Sequence, residues 1–385
     1  MAGSQRVGAY LRNEQAKFHG VDGIQETKKM THKSTLPALE YRPRNPENYR
    51  PGIGLIGCGA ITMDHLRAYR KAGYKVIAMC DIDADKAKER RKEFFPDATI
   101  YTDYVELLRN ETVEIVDIAT HPPDRPPIIK AALLAGRHVL SQKPFVLDLD
   151  VGQQLVELAD KQGVRLAVNQ NGRWAPHFSY IRAAIKAGLI GQVAAAHLSV
   201  HWDHGWVQGT EFEKVHHLVL YDFAIHWFDI VQCFLGPKKP QRVYASVARW
   251  PGQPVAPPLL AQALIEFDGA QASLAFDAYT CHQPHDRTYV AGTKGTIMSR
   301  GPDFKKQTVR LENKDGVLEP ELEGVWFPDG FHGTMGELLC SIEENREPTI
   351  SARENLKSLE LCFAAVASAE QHLPIVPGSV RRMPG

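Results

Sequence analysis

The sequence has no excess of charge of either sign, because its 385 residues include 45 Lys and Arg against 45 Asp and Glu. A balanced chain lacks the electrostatic attraction that draws proteins to nucleic acids and anionic membranes, so neither is expected as the main partner. It also lacks any apolar run near the ~18 residues that a membrane-spanning helix requires. The length suits two domains with full cores.

Cysteine is scarce as well, since the chain has six scattered cysteines and no CxxC pair. This usage fits buried thiols in a reducing compartment better than a disulfide framework or a zinc site. The sequence has no apolar leader segment and no twin arginine, so a secretory signal is not expected. We therefore predict a cytoplasmic protein without a bound metal.

Residues 1–50 differ in composition from the rest. They are polar, and Pro37, Pro43, Pro46 and Pro51 crowd their end. Two interpretations remain open at this point: a disordered tail, or an ordered arm that lies across a neighbouring subunit.

What the sequence does contain is a glycine-rich turn between a short apolar run and the start of a helix, at residues 54–61. A second apolar run at 76–80 ends at Asp81, which stands 22 residues after Gly59. In a dinucleotide-binding unit the glycines let the backbone approach a pyrophosphate at a helix N-terminus, and the acid binds the ribose hydroxyls. The third glycine is missing, because Thr62 occupies its place. The cofactor-binding residues predicted from this motif are Gly57, Gly59, Ala60, Ile61 and Asp81.

The residues after the acid favour NAD over NADP. Asp81 is followed by Ile82 and Asp83, and two carboxylates repel a 2′-phosphate. Arg90 and Arg91 are expected to face solvent.

Strand and helix patterns alternate from residue 51 to about 175, which predicts an α/β doubly wound parallel sheet of the Rossmann type. The strands predicted after Asp81 are 113–119, 138–141 and 165–169, and the helices are 85–95, 104–108, 128–135 and 151–162. After about residue 190 the pattern is β-rich, with strands at 192–201, 241–249, 259–267, 271–279, 287–292 and 295–298 and helices near 219–234, 333–344 and 352–371. We predict a large, open, mainly antiparallel sheet there. The predicted domains are an arm at 1–50, an NAD-binding domain at 51–175, and an α+β domain for substrate binding and oligomerisation at 176–385.

Three further segments, at 116–123, 135–144 and 222–229, give a more specific signal than the glycine turn. Together with that turn they resemble the Gfo/Idh/MocA oxidoreductases, the family of glucose–fructose oxidoreductase and inositol dehydrogenase. The resemblance covers roughly residues 52–375. It implies that Lys143 matches the lysine of the family's Glu-Lys-Pro motif and that Asp222 and His226 match its Asp-x-x-x-His pair.

The resemblance also implies residues that border the cofactor or the substrate. Thr120, His121 and Pro123 belong to the segment that would line the nicotinamide ribose, and Gln142 precedes the lysine. Asn171, Arg173 and Trp174 follow the last nucleotide-domain strand, where cofactor contacts are expected from all three and substrate contacts from Arg173.

The chemistry of alcohol oxidation agrees with these roles. Histidine is suited to accept the hydroxyl proton, because its ordinary pKa of about 6.5 lies near working pH. Asp222 is four residues from His226, so on an α-helix the two would share a face and the carboxylate would stabilise the imidazolium. Lys143 would stabilise the developing alkoxide. We therefore expect Lys143, Asp222 and His226 to be catalytic and to contact the substrate.

The sequence departs from the family pattern in places. Gln142 stands where the family has glutamate, which removes a negative charge beside Lys143 and is expected to lower the pKa of the lysine. Arg125 and Pro126 stand near a position where a histidine is common, and Leu220 and Tyr221 replace glycines before the aspartate. The wall of the pocket near Asp222 is therefore expected to have its own shape.

Histidine and tryptophan are concentrated between residues 197 and 217, and a second group includes His282 and His285. Three interpretations stay open: a metal site, structural histidines, or a carbohydrate pocket in which aromatic rings pack on sugar faces. On the third interpretation Trp202, His204, Trp206 and His282 contact the substrate, and a glycoside fits such a pocket better than a bare polyol.

The sequence thus predicts an NAD-dependent oxidoreductase acting on a secondary hydroxyl, or the matching ketone, of a sugar, glycoside or cyclitol. One alternative is an enzyme that retains NAD and cleaves or epimerises a glycoside without net redox change. Another is a non-catalytic sugar or nucleotide sensor. By the resemblance, a homodimer or homotetramer is expected.

Overall fold

The computed structural model describes residues 37–303 and 305–384. Its first sheet has six parallel strands in the order β3-β2-β1-β4-β5-β6. The strands are β1 Gly52–Ile56, β2 Lys75–Cys80, β3 Thr99–Tyr101, β4 Val113–Ile118, β5 His138–Ser141 and β6 Leu166–Val168. The helices of this half are α1 Thr62–Ala72, α2 Ala84–Phe94, α3 Tyr104–Leu108, α4 Arg125–Leu134 and α5 Leu149–Gln162. The chain reverses its direction of winding between β1 and β4, and ligands bind at the carboxyl ends of strands at such a point.

The apolar runs account for this sheet. β1, β4 and β5 are almost wholly buried, as expected for parallel strands covered on both faces by helices. The doubly wound sheet predicted from the sequence is therefore confirmed. β3 was not predicted, because it has three residues and none of them is fully buried.

The second sheet has eight strands in the order β14-β13-β12-β11-β7-β10-β9-β8. Its strands are β7 Val193–His201, β8 Pro240–Ala248, β9 Leu260–Phe267, β10 Ala270–Asp277, β11 His285–Gly292, β12 Gly295–Asp303, β13 Lys306–Asn313 and β14 Gly316–Leu318. The helices that follow the first sheet are α6 Pro176–Lys186, α7 Ile225–Leu235, α8 Trp326–Glu343 and α9 Ala352–Gln371. Only β7 and β10 pair in parallel, so the predicted antiparallel character is confirmed.

One face of the second sheet is open in the described chain. Burial alternates strictly along β9, and the outward Leu264 is 58% exposed opposite the outward Tyr244 of β8. The inward face packs on helices α7 and α9. This alternation is typical of an antiparallel sheet that buries one side.

Helix α8 joins the two halves, since it belongs to the second half of the sequence but packs on α1 beside the first sheet. The ring of Phe331 lies 4.4 Å from the ring of His65, and Lys71 is paired with Asp329 at 2.9 Å. Helix α8 therefore fixes the two halves to each other beside the first sheet.

Residues 37–50 form an ordered arm along the chain's own α6 and α8. Tyr41 packs against Tyr180 with 5.6 Å between ring centroids, and the Glu343 carboxylate accepts the backbone N–H groups of Glu47, Asn48 and Tyr49. The prediction of a disordered tail is therefore wrong for this segment. Residues 1–36 lie outside the described part of the chain.

Within the described residues, none of the helices has the length and apolar character needed to cross a bilayer.

Candidate active site

The glycine turn lies at the carboxyl end of β1. Gly57 has φ +90°, and a Cβ on it would come within 2.9 Å of the backbone carbon of Ala119, so this position requires glycine. A Cβ on Gly59 would meet nothing within 4 Å, which leaves open space beside the start of α1. The N–H groups of Thr62, Met63 and Asp64 bond the carbonyls of Gly59, Ala60 and Ile61 at 3.1–3.2 Å, and the positive end of the α1 dipole faces the open space. The turn therefore fits a dinucleotide pyrophosphate.

Asp81 lies beside this turn at the end of β2. One carboxylate oxygen accepts the N–H of Cys58 at 2.7 Å, and the other accepts the N–H of Asp83 at 2.9 Å. A carboxylate has lone pairs for two further acceptor bonds. Gly57, Gly59, Ala60, Ile61 and Asp81 thus lie together at the carboxyl ends of β1 and β2, and their contacts with a cofactor stay a prediction.

Arg90 differs from its prediction. Its side chain is buried rather than solvent-facing, and its Nε atom has no hydrogen-bond partner among the residues that the structure describes. Burial raises the pKa of the Cys58 thiol in the glycine turn, and the positive charge of Arg90 acts in the opposite direction. The sequence argument for NAD over NADP therefore rests on the carboxylates of Asp81 and Asp83 alone, and it stays a prediction.

The loop after β4 carries Thr120, His121 and Pro123 at the same end of the sheet. The Thr120 hydroxyl is buried without a partner in the described chain, so it is available to a bound ligand, and His121 is exposed. Arg125 fixes this loop, because its guanidinium donates to the carbonyls of Thr120, Gln142 and Pro144. Burial lowers the pKa of Arg125 to about 10.

From the sequence, Arg125 stood out only as a departure from the family pattern. Its position was the available signal. Arg125 stands two residues after Pro123 at the start of α4, from where a long side chain reaches the neighbouring loop after β5.

The loop after β5 presents Lys143 to the cleft, and its peptide bond to Pro144 is cis. Lys143 Nζ lies 3.0 Å from the carbonyl oxygen of Asp222 and 3.2 Å from its carboxylate. The side chains of Lys143 and Asp222 are 18% and 14% exposed, so the pair is largely shielded from solvent but can still be reached from the cleft. Lys143 comes from the first sheet and Asp222 from the second half, and their contact defines the cleft.

Gln142 does not face this cleft. Its side-chain oxygen accepts the N–H of Lys143 at 2.7 Å, and its side-chain nitrogen lies 3.1 Å from the ring of His65. Both ends of the amide are engaged within the protein, and the expectation that Gln142 contacts the cofactor stays a prediction.

His226 lies in the first turn of α7 beside Lys143. Its Nδ1 has no hydrogen-bond partner in the described residues and lies against Gly172, whose added Cβ would be 3.5 Å away. Burial, and secondarily the charge of Lys143, hold the pKa of His226 well below its ordinary value. The imidazole is therefore neutral at physiological pH and able to accept a proton.

The expected pairing of Asp222 with His226 is not found. Residues Val219–Phe223 form a π-helical turn, and α7 begins only at Ile225. Four-residue spacing brings side chains together on an α-helix, but the wider turn breaks that register. Asp222 instead pairs with Lys143, so its carboxylate orients the lysine.

The three residues predicted after β6 each have a partner within the protein. Asn171 accepts a hydrogen bond from the indole of Trp326 at 2.9 Å. Arg173 donates to both carboxylate oxygens of Asp229, at 2.6 and 2.7 Å, in a fully buried ion pair. Trp174 packs on Gly333 of α8 and on the guanidinium of Arg182. These contacts give the three residues structural roles, and their predicted contacts with cofactor or substrate stay predictions.

Aromatic rings form a wall beside Asp222. The His204 ring lies 4.4 Å from that of Phe223 and is stacked on Trp202 at 5.9 Å. Trp206 is 57% exposed and lies 6.2 Å from Phe223. Burial lowers the pKa of His204 to about 4, so it is a neutral hydrogen-bonding group. We call Trp202, His204, Trp206 and Phe223 the aromatic wall.

The wall reaches towards the cofactor loop. Lys214 and, more weakly, His121 lower the pKa of the Glu211 carboxyl, which places the segment after Trp206 near the loop after β4. His282 is exposed on the loop between β10 and β11.

The histidine-rich stretch also places His216, His217 and Glu370 together. Their candidate ligand atoms lie within 4.8 Å of one another. His217 already bonds Glu370 at 3.1 Å, and this pair accounts for the proximity without an ion. The prediction of no bound metal remains a prediction.

Comparison with known proteins agrees with the geometry. The family described as "Oxidoreductase family, NAD-binding Rossmann fold" matches residues 52–170, and the one described as "GFO/IDH/MocA C-terminal domain" matches residues 178–298. D-apiose dehydrogenase from Paraburkholderia graminis is 26% identical over 334 residues, which are 82% of this chain and 87% of that protein. Inositol 2-dehydrogenase from Burkholderia multivorans is 31% identical over 186 residues, which are 48% of this chain and 54% of that protein.

A solved structure shares the fold across both halves. An oxidoreductase from Agrobacterium radiobacter, in complex with NAD+, L-tartaric acid and magnesium, superimposes with a TM-score of 0.78 at 21% identity and covers 86% of this chain and 99% of its own. The two family matches together span more than half of the sequence. The chain therefore belongs to the Gfo/Idh/MocA family of oxidoreductases, with an NAD-binding Rossmann domain followed by the family's C-terminal domain.

Proposed function

We infer that the protein oxidises a secondary hydroxyl of a sugar, glycoside or cyclitol, or reduces the matching ketone, with NAD as the hydride carrier. The observation that carries this proposal is the contact of Lys143 with Asp222 beside neutral His226, in front of the glycine turn. Bound NAD supplies the hydride acceptor. The glycine turn and Asp81 would hold its adenosine half, and Thr120 and His121 would border the nicotinamide ribose.

Lys143 and His226 have different roles in the proposed proton chemistry. Lys143 donates a hydrogen bond to the substrate oxygen and stabilises the negative charge that develops on it. His226, kept neutral by burial and by the lysine charge, accepts the hydroxyl proton. Asp222 holds the lysine ammonium at the cleft, so that the donor is in place before the substrate arrives.

The substrate class is supported by the aromatic wall. Flat, partly exposed rings beside Asp222 suit the apolar faces of a sugar ring, and His204 offers a hydrogen bond to a hydroxyl. Relatives named D-apiose dehydrogenase and inositol 2-dehydrogenase fit this chemistry. Trp202, His204 and Trp206 are our substrate contacts, and His282 is a contact only if its loop folds towards them.

The rival functions predict different cofactor behaviour. An enzyme that retains NAD and cleaves or epimerises a glycoside would leave no free NADH, and a sensor would need no proton acceptor beside a lysine. The clustering of Lys143, Asp222 and His226 favours catalysis over sensing.

The test is nicotinamide absorbance with NAD in excess and a panel of free sugars, cyclitols and alkyl glycosides. We expect sustained NADH formation with one class of compound. Denaturing the protein and assaying the supernatant for NAD is the control for a retained cofactor. Glycoside cleavage with no NADH, together with NAD released on denaturation, would replace the dehydrogenase by the redox-neutral alternative.

A further inference from the structure

A buried chain of polar side chains lies beneath Lys143 and takes no part in the chemistry proposed above. It includes His65 of α1, Asp117 of β4, Gln142 after β5 and Asn169 after β6, and the structure buries all of them. Three segments, β4 and the ends of β5 and β6, thus converge on one histidine of α1. Both ring nitrogens of His65 have partners in this network, whereas one oxygen of Asp117 has none among the described residues.

The orientation of the Gln142 amide follows from its neighbours. Its oxygen accepts the backbone N–H of Lys143 at 2.7 Å, which a nitrogen could not do. The NH2 group therefore points at His65 Nε2, 3.1 Å away. Since an amide NH2 only donates, Nε2 must be an unprotonated acceptor.

The other ring nitrogen has the opposite role. His65 Nδ1 lies 2.7 Å from a carboxylate oxygen of Asp117, which accepts hydrogen bonds and so requires a proton on Nδ1. The Tyr69 hydroxyl donates to the same oxygen at 2.7 Å. A second amide, that of Asn169, lies 3.3 Å from Nε2, and its oxygen accepts from Thr334. His65 is therefore neutral, with its single proton on Nδ1.

We propose that His65, as the neutral Nδ1–H tautomer held by Asp117, is a positioning residue that fixes the Gln142 amide and through it the backbone of Lys143. Its chain of contacts runs from Asp117 through His65 and Gln142 to the N–H of the lysine whose Nζ reaches Asp222. The functional part of this proposal rests on the role given to Lys143 above. The tautomer stands on the hydrogen bonds alone.

Gln142 and neutral His65 are thus a matched set. A carboxylate at position 142 would accept the Lys143 N–H with one oxygen and turn the other towards Nε2. That second oxygen needs a donor, so His65 would take a second proton and become imidazolium beside Asp117.

The direct test is nitrogen-15 NMR of the full chain with histidine-selective labelling and saturating NAD, with the His65 signal identified by its loss in His65→Gln. The wild type is expected to show the neutral Nδ1–H tautomer throughout about pH 6 to pH 8, the range in which an unconstrained histidine titrates. Gln142→Glu is expected to show imidazolium over the same range. A wild-type His65 that titrates there, or that carries its proton on Nε2, overturns the proposal.

Kinetics test the positioning role. His65→Phe keeps a ring against Phe331 but removes the hydrogen bonds to Asp117, Gln142 and Asn169, and we expect kcat to fall about tenfold with KM for NAD changed less than about twofold. His65→Gln, which retains an acceptor and a donor, is expected to recover part of the loss. His177→Phe is the matched control, since His177 is fully buried on α6 and both ring nitrogens lack partners in the described structure.

The two proposals fail in different ways. If Lys143→Met abolishes turnover of the panel substrate while His65→Phe leaves kcat unchanged, the positioning role is overturned and the role of Lys143 stands. If neither substitution changes kcat, both are overturned. Should His65→Phe not fold, His65→Gln and the NMR measurement on the wild type decide the question.

Discussion

Lys143 and His226 are basic groups in one cleft with opposite protonation. Lys143 is a cation balanced by Asp222, whereas burial and that same cation keep His226 neutral. Environments that push two titratable groups apart define which one donates and which one accepts. The cleft therefore holds a hydrogen-bond donor and a proton acceptor at the same time, without a metal ion being needed for either role.

The depressed pKa of His226 determines the acid side of the pH profile. A histidine whose pKa is lowered stays unprotonated as pH falls through 6.5, so the proton acceptor remains active there. We expect kcat/KM for oxidation to stay within about twofold between pH 8 and pH 6. Lys143→Met removes the positive charge that helps to lower the pKa of His226, so the acid limb of the profile should move to higher pH. A wild-type limb centred near pH 6.5 would contradict this assignment.

The choice of cofactor depends on Asp81, whose carboxylate is fixed by two backbone N–H groups beside the glycine turn. Asp81→Ser with Ile82→Arg removes the ribose acceptor and adds a phosphate-binding cation at a fully solvent-facing position. We expect the NADP-to-NAD ratio of kcat/KM to rise at least about tenfold. Asp97→Ser, which removes an exposed acid in the turn after α2, is the control and should leave the ratio nearly unchanged. An unaltered ratio in the double variant would mean that Asp81 is not the ribose ligand.

At the scale of elements, the short 3-10 segment Asn171–Trp174 anchors α7 through the buried Arg173–Asp229 pair. Asp229 also accepts from Ser358 of α9 at 3.0 Å, so three elements meet at one carboxylate. α7 carries His226 in its first turn. The pair therefore fixes the helix that presents the proton acceptor.

Removing one partner leaves a buried charge without compensation. We expect Asp229→Ala to lower the free energy of unfolding by about 3–5 kcal/mol, measured by urea denaturation. Glu354→Ala, which removes an exposed i,i+3 pair with Lys357 on α9, should cost less than about 1 kcal/mol. Equal effects from the two substitutions would show that the buried pair does not anchor α7.

The elements differ in how well the sequence predicts them. α9 was predicted with its exact bounds, because twenty residues of strong apolar periodicity end in a clear stop. β13 was missed because only Val309 and Leu311 are buried along it, and α6 was missed because its segment was interpreted as a site loop. The π-helical turn at Val219–Phe223 could not be predicted from the sequence pattern, because apolar spacing does not distinguish a π-helical turn from an α-helix.

The same limit applies to the site. Motif and spacing found Lys143, Asp222, His226 and Asp81, which the fold brings to one edge of the first sheet and the facing cleft. They did not reveal the direction of Arg173, because a side chain after a strand end faces either the cleft or the core according to tertiary packing. His65 was missed too, although a histidine on the apolar side of an amphipathic helix was its available signal.

For the molecule as a whole, the residues proposed for the site come from both halves. The first sheet supplies the glycine turn, Asp81 and Lys143, and the second half supplies Asp222, His226 and the aromatic wall. The site therefore forms only when the halves dock. The open face of the second sheet, with Leu264 and Tyr244 exposed, is where we expect a second copy of the chain to bind.

The central claim is that Lys143 and His226 oxidise the substrate hydroxyl together, and turnover by variants tests it most directly. With the panel substrate and saturating NAD, Lys143→Met and His226→Asn should each lower the rate of NADH formation at least about 100-fold. Lys130→Met, an exposed lysine on α4, is the matched control and should retain full activity. Near-normal rates in both Lys143→Met and His226→Asn would contradict the account.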